Sequence, residues 1–261
     1  MKLLATLLLV LLAPFASSQT VGRFAVSHDG NFHDKDDIGA VAMVEALIWR
    51  AGAQDSLVHL DHSSHRGAND VQQHADMVMS ARRALWLYGI DRTRVFDDFL
   101  RLRASVLNLA AQIDASSAAD RLTIIQGGPW EVMALAFDWS DPAKHQFVDI
   151  ISHSNWNDNH QHNPAHRNKA GFDAQYAQGG KWDGVTPPGY TKIDDQNSYA
   201  FKSNINNWSW MAATLETSFV LWRTSESGFA QGDMSDAGMV FYYLTGEEHP
   251  TMQDIRDFFG L

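Results

Sequence analysis

Between residues 24 and 151, short apolar runs alternate with longer segments whose apolar residues recur every three to four positions. Few folds satisfy that alternation. Phe24-Ala25-Val26, Leu57 to Leu60, Val95-Phe96, Leu122 to Ile125 and Phe147 to Ile151 read as strands. The intervening segments read as helices: Ile38 to Trp49, with Val41, Val44, Leu47 and Ile48 at helical spacing, then about Asp70 to Tyr88, Phe99 to Ile113, and a stretch ending at Phe137. A strand–helix rhythm of this kind predicts an α/β fold, with a mainly parallel sheet flanked by helices in a Rossmann-like arrangement. The apolar residues from Trp86 to Tyr88 are expected in the core. From Ser152 to Trp208 the periodicity lapses into polar, turn-rich sequence holding HSNWNDNHQHNPAH and DGVTPPGY. So long a stretch reads as a functional loop or a surface insertion. Pattern returns at Met211 to Leu215 and Phe219 to Trp222, and a last helix is expected from about Ser235 to Leu244.

The first 18 residues stand apart. Lys2, the apolar run Leu3 to Leu12 and Ala16-Ser17-Ser18 have the order of a secretory signal peptide, and the run is too short to span a bilayer. The expectation is a secreted or periplasmic protein, with residues 19–261 forming one α/β domain that carries the insertion at about 152–208. The chain has no cysteine, which excludes disulfides, thiolate metal sites and a cysteine nucleophile. A net charge of −11 argues against nucleic-acid partners, and nothing after the leader is expected to enter a membrane. Twelve histidines and nine tryptophans, many in polar stretches, suit a site for sugars, metals or both.

The densest chemistry lies in SHDGNFHDKDDIGA, residues 27–40. Asp29, Asp34, Asp36, Asp37, His28, His33 and Asn31 fall within ten positions, at the carboxyl end of the first strand and running into a helix. Ligand sites of open α/β sheets lie at that edge. Four adjacent carboxylates repel unless a cation or protons compensate them. A helix N-terminus stabilises one or two, and a hard cation such as Ca²⁺ finds here the oxygen donors it prefers. The alternative reading is a helix cap followed by a solvated acidic turn.

This cluster resembles the N-terminal signature of the inosine-uridine nucleoside hydrolases, Asp-x-Asp-Pro-Gly-x-Asp-Asp, which holds one Ca²⁺. Gln126-Gly127-Gly128-Pro129-Trp130-Glu131 is similar to that family's strand-to-helix turn. Gly232-Asp233-Met234-Ser235-Asp236 is similar to the segment whose Asp completes the calcium shell. The loop here is one residue longer than the pattern, and Ser235 stands where the family has a histidine. The resemblance implies a nucleoside-hydrolase-like fold and a calcium-dependent hydrolase of glycosidic bonds, acting on a nucleoside or another small glycoside. It implies Asp29, Asn31, Asp37, Asp236 and the main-chain oxygen of Glu131 as metal ligands, with Asp34 and Asp36 competing for the base that activates water.

The remaining polar clusters supply candidate substrate contacts. His153 is the candidate acid for the leaving group, because it follows a strand and reaches the same edge. Asn155, Asn157 and Asp158 are placed to bind sugar hydroxyls and Trp156 to stack on a ring, while His62 and His65 follow the second strand. Two other functions compete: a carbohydrate-binding, non-enzymatic protein of the same fold, and a His/Asp transition-metal phosphoesterase. Homo-oligomer formation stays open.

Overall fold

The structure, a computed structural model, describes residues 21–28, 37–64, 71–161, 166–178, 180–194, 200–226 and 233–261. The candidate leader, residues 1–18, lies outside them. Six strands form the sheet: β1 (Arg23–His28), β2 (Leu57–His62), β3 (Val95–Asp97), β4 (Leu122–Gly127), β5 (Val148–Ser152) and β6 (Gly189–Lys192). All pair in parallel, in the order β3-β2-β1-β4-β5-β6. Five of them lie where the sequence pattern put them. Nine helices accompany them among the described residues: α1 (Asp37–Arg50), α2 (Val71–Tyr88), α3 (Asp98–Asp114), α4 (Glu131–Trp139), α5 (Asn155–Asn159), α6 (Lys169–Ala177), α7 (Leu215–Glu226), α8 (Ser235–Thr245) and α9 (Met252–Phe259). None is long and apolar enough to cross a membrane.

Strand alternation divides the core in two. Phe24 and Val26 of β1 join the larger cluster, which includes residues of α1, α7, α8 and α9; Ala25 joins the cluster built with α3 and α4. Helix α1 is enclosed on every side, and residues Asp37 to Ile48 are all buried. That needs small residues at its crossings. A β-carbon on Gly39 would lie 2.9 Å from the Thr224 Cα of α7 and 2.5 Å from its Oγ1, so only glycine allows the two helices this separation.

Three expectations need correction. Residues 152–208 hold α5, α6 and β6, and Phe172, Trp182, Phe201 and Trp208 are buried in the two cores. Their irregular spacing among polar residues hid this. Trp86 is 85 % exposed, whereas Tyr88, two positions on and off that face of α2, is buried. Helix α8 is followed by α9, which starts with a capping box between Thr251 and Asp254 and ends at Gly260, φ 75°.

Candidate metal and active site

The strand order reverses between β1 and β4, and the carboxyl ends at such a switch point form the natural crevice of an open parallel sheet. β1 delivers His28 there, β4 delivers Gly127, and His153 follows β5 directly. Asp37 opens α1 and Asp236 lies in the first turn of α8, so each carboxylate sits at the positive end of a helix dipole. One ligand atom each from His28, Asp37 and Asp236 lies within 4.8 Å of the others.

Neighbouring groups fix this geometry. Asp236 Oδ1 accepts a hydrogen bond from His153 Nε2 at 2.8 Å, and Asp236 Oδ2 lies 3.5 Å from His28 Nε2, so the carboxylate bridges two imidazoles. Gly127 makes room for it: a β-carbon there would stand 3.3 Å from Asp236 Cγ and from Met239 Cε. Burial lowers the pKa of His28, opposed by Asp236 and assisted by His153. The neutral imidazole that results is the form that binds metal. A neutral imidazole and two carboxylates suit a divalent cation, and three protein ligands leave positions for water or substrate oxygens.

A polar network stiffens β1 from the opposite face of the sheet. The Asp61 carboxyl accepts from the Ser27 hydroxyl at 3.1 Å and from the backbone N–H of His28. Its other oxygen lies 2.9 Å from His59 Nε2, and His59 Nδ1 lies 2.9 Å from Asn108 Oδ1. Burial raises Asp61 to about 7 and drops His59 to about 4. Asp98, buried beside Asp61, is raised well above the usual carboxylate range by burial and by that neighbour. The two buried carboxyls thus hold protons to higher pH than ordinary carboxylates do, and the network orients the end of the strand that carries His28.

His62 ends β2 beside His28, given the Ser27–Asp61 register. It is buried, its Nδ1 lies 2.9 Å from Ser63 Oγ, and burial drops its pKa to about 4. Ser63 has φ 63°, a strained conformation of the kind that clusters at functional sites.

Of the candidate metal ligands, Asp37 and Asp236 lie together here. Asp29, Asn31, Asp34, Asp36 and His65 lie outside the described residues. The Glu131 side chain stands apart from the cluster: the residue opens α4, and its carboxylate pairs with His166. His153 is 1 % exposed with Nε2 committed to Asp236, which makes it a positioning residue for that carboxylate. Its Nδ1 is buried without a hydrogen-bond partner among the described residues.

The other candidate sugar contacts are mostly occupied. Asn157 is buried and donates to the Gln126 carbonyl at 3.3 Å, tying α5 to β4. Asp158 accepts from Ser152, Tyr190 and Lys192, and Trp156 stacks on His160 at 4.0 Å. Asn155 is exposed and lines a cavity of about 400 Å³ with His153, Lys192 and Glu248.

His28 belongs to the cluster although its local sequence suggests no role for it. The available signal was the length of β1. Extending the strand two residues past Val26 puts His28 at the carboxyl edge, on the face of Phe24 and Val26.

No protein-family model matches the chain. It is similar to an uncharacterized protein, P22, of Formosa agariphila, with 29 % identity over 248 residues, covering 86 % of this chain and 84 % of that one. Among solved structures it is similar to a plant nucleoside hydrolase, with a TM-score of 0.51 and 10 % sequence identity, covering 87 % of this chain and 79 % of that one. The six parallel strands, their order and this superposition together give the chain a nucleoside-hydrolase-like α/β fold.

Proposed function

We propose that the protein is a metal-dependent hydrolase of glycosidic bonds, acting outside the cytoplasm on a nucleoside or another small glycoside. The observation that carries this reading is the meeting of His28, Asp37 and Asp236 at the switch point of a nucleoside-hydrolase-like sheet. The carboxylates of Asp37 and Asp236, with the further aspartates that the sequence holds just ahead of Asp37, favour Ca²⁺.

His28, Asp37 and Asp236 would hold the ion. When bound, a cation there supplies a Lewis acid that lowers the pKa of water and orients sugar hydroxyls. The chain's own residues do the rest. His153 holds Asp236 at its Oδ1, and the Asp61 network holds the backbone at His28. Asp34 and Asp36 are the sequence's candidates for the base that takes the proton of the attacking water as the anomeric centre gains positive charge.

The test is an assay of released base or aglycone over a panel of nucleosides and small aryl glycosides, with Ca²⁺ or with chelator. The expected result is hydrolysis of at least one compound, lost with chelator and reduced at least a hundredfold in Asp236→Asn. Thermal stabilisation by a sugar without any turnover would instead establish the carbohydrate-binding reading. The imidazole of His28 also suits Mn²⁺ or Zn²⁺, which keeps a phosphoesterase as the second reading. Cleavage of bis-p-nitrophenyl phosphate, restored by Mn²⁺ or Zn²⁺ but not Ca²⁺, would establish that one.

A further inference from the structure

Beside the metal cluster, toward the β3 edge, lies a cavity of about 800 Å³ with an unusual charge balance for an acidic chain. Three separate elements each bring an arginine to its wall. Arg82 comes from α2, Arg92 from the helical turn that precedes β3, and Arg101 from α3. Arg101 sits where α3 breaks its helical geometry, at φ −138° and ψ 36°.

Among the described residues the guanidiniums of Arg82 and Arg92 have no hydrogen bond or ion pair within contact distance, and that of Arg101 reaches only the Val95 carbonyl, at 3.5 Å. Neighbouring Arg94 shows the contrast: it donates to the carbonyls of Gln54, Asp55 and Leu57 and is fully used in holding the fold. The carboxylate on the cavity wall, Asp97, is engaged by His74 with both oxygens 3.1 Å from Nε2. Among the described residues the wall therefore carries three guanidiniums against the Asp97 carboxylate, with Asp91 near Arg92, an excess of positive charge in a protein of net charge −11. Guanidinium groups are suited to planar, two-pronged recognition of carboxylate, phosphate or sulfate.

The cavity also adjoins the candidate active site. Buried His62 lines it while standing next to His28 across the β1–β2 ladder. Trp86, 85 % exposed, lies on the same wall and offers an aromatic face.

We propose that this cavity is a subsite for an anionic substituent, a carboxylate, phosphate or sulfate carried by the substrate. Arg82, Arg92 and Arg101 bind that group while the adjoining part of the substrate extends past His62 to the metal cluster. The substrate is then a negatively charged glycoside. This assignment rests on the glycosidase reading for what lies at the metal end, but the anion site itself is measurable without turnover.

The experiment is calorimetric titration of the folded protein with inorganic phosphate, sulfate and acetate at low ionic strength, where screening is weak. Wild type is compared with Arg92→Gln, with the double variant Arg82→Gln and Arg92→Gln, with a control Arg103→Gln away from the cavity wall, and with Asp236→Asn. Saturable binding of at least one anion is expected, weakened about tenfold by each cavity substitution and unchanged in Arg103→Gln. The order of affinities separates a carboxylate from a tetrahedral oxyanion. Equal melting temperatures of the arginine variants and wild type exclude misfolding, because these side chains are exposed. Anion binding that survives in Asp236→Asn, even with no glycoside hydrolysed, supports the subsite and counts only against the glycosidase reading. Absence of saturable binding, or binding indifferent to Arg92 and Arg82, would overturn the proposal.

Discussion

At the scale of single residues the account turns on Asp236, whose two oxygens face two imidazoles. Removing that carboxylate removes a ligand and also frees His153, so Asp236→Ala should lower metal affinity more than Asp37→Ala does. Metal titration followed by tryptophan fluorescence would show the order; equal losses would mean that His153 plays no positioning part. His153→Asn should weaken the metal by about 10–100-fold, as for other residues that hold a ligand. Asp37 was legible in the sequence because it opens a helix after a strand, whereas Asp236, whose helix follows α7, was reached through the family resemblance. His28 was not assigned, because nothing in a local stretch of polar residues says where a strand ends. Arg82, Arg92 and Arg101 were equally hidden. They are scattered over twenty residues, and what makes them informative is that they line one cavity, which only folding reveals.

At the scale of elements, α1 is the most demanding piece of the fold, buried on all sides and crossed closely by α7. Gly39→Ala should cost roughly 1–3 kcal/mol through overpacking against the Thr224 backbone, read as a lower denaturation midpoint with an unchanged slope. The same helix carries Glu45, fully buried, with neither oxygen hydrogen-bonded among the described residues. Burial raises its pKa well above the usual 4.5. The unfolded chain therefore releases this proton as pH rises through about 4.5 while the folded chain retains it. Over that window the folded state binds more protons, and stability falls as pH increases. Glu45→Met should raise the melting temperature at pH 7.5 by a few degrees, with the gain shrinking as pH approaches 4.5; a gain independent of pH would contradict the assignment. Five strands and the long helices were legible because a period of 2 or 3.6 persists over enough residues. The core residues Phe172, Trp182, Phe201 and Trp208 were not, because single large side chains embedded in polar sequence leave no period.

At the scale of the whole molecule, the parallel sheet collects the carboxyl ends of its central strands around a candidate cation site, with the arginine cavity to one side and the smaller cavity at His153 to the other. The α/β class followed from the strand–helix rhythm alone, and the same rhythm is what directs the search for a site to this edge. The family resemblance reached the same fold from three short motifs. What binds in the site depends on side chains converging from distant elements, which no linear pattern records. His28, Asp37 and Asp236 lie on elements far apart in the sequence, so a cation held by them would link β1 and α1 to α8 and its removal should be felt globally. The most direct test is the metal content of the purified protein by mass spectrometry, with the melting temperature measured before and after chelation. One divalent cation per chain is predicted, together with a drop in melting temperature on chelation that is restored by Ca²⁺ and absent in Asp236→Asn. A protein that holds no stoichiometric metal, and whose melting temperature is the same with chelator and with added Ca²⁺, Mn²⁺ or Zn²⁺, would contradict the account.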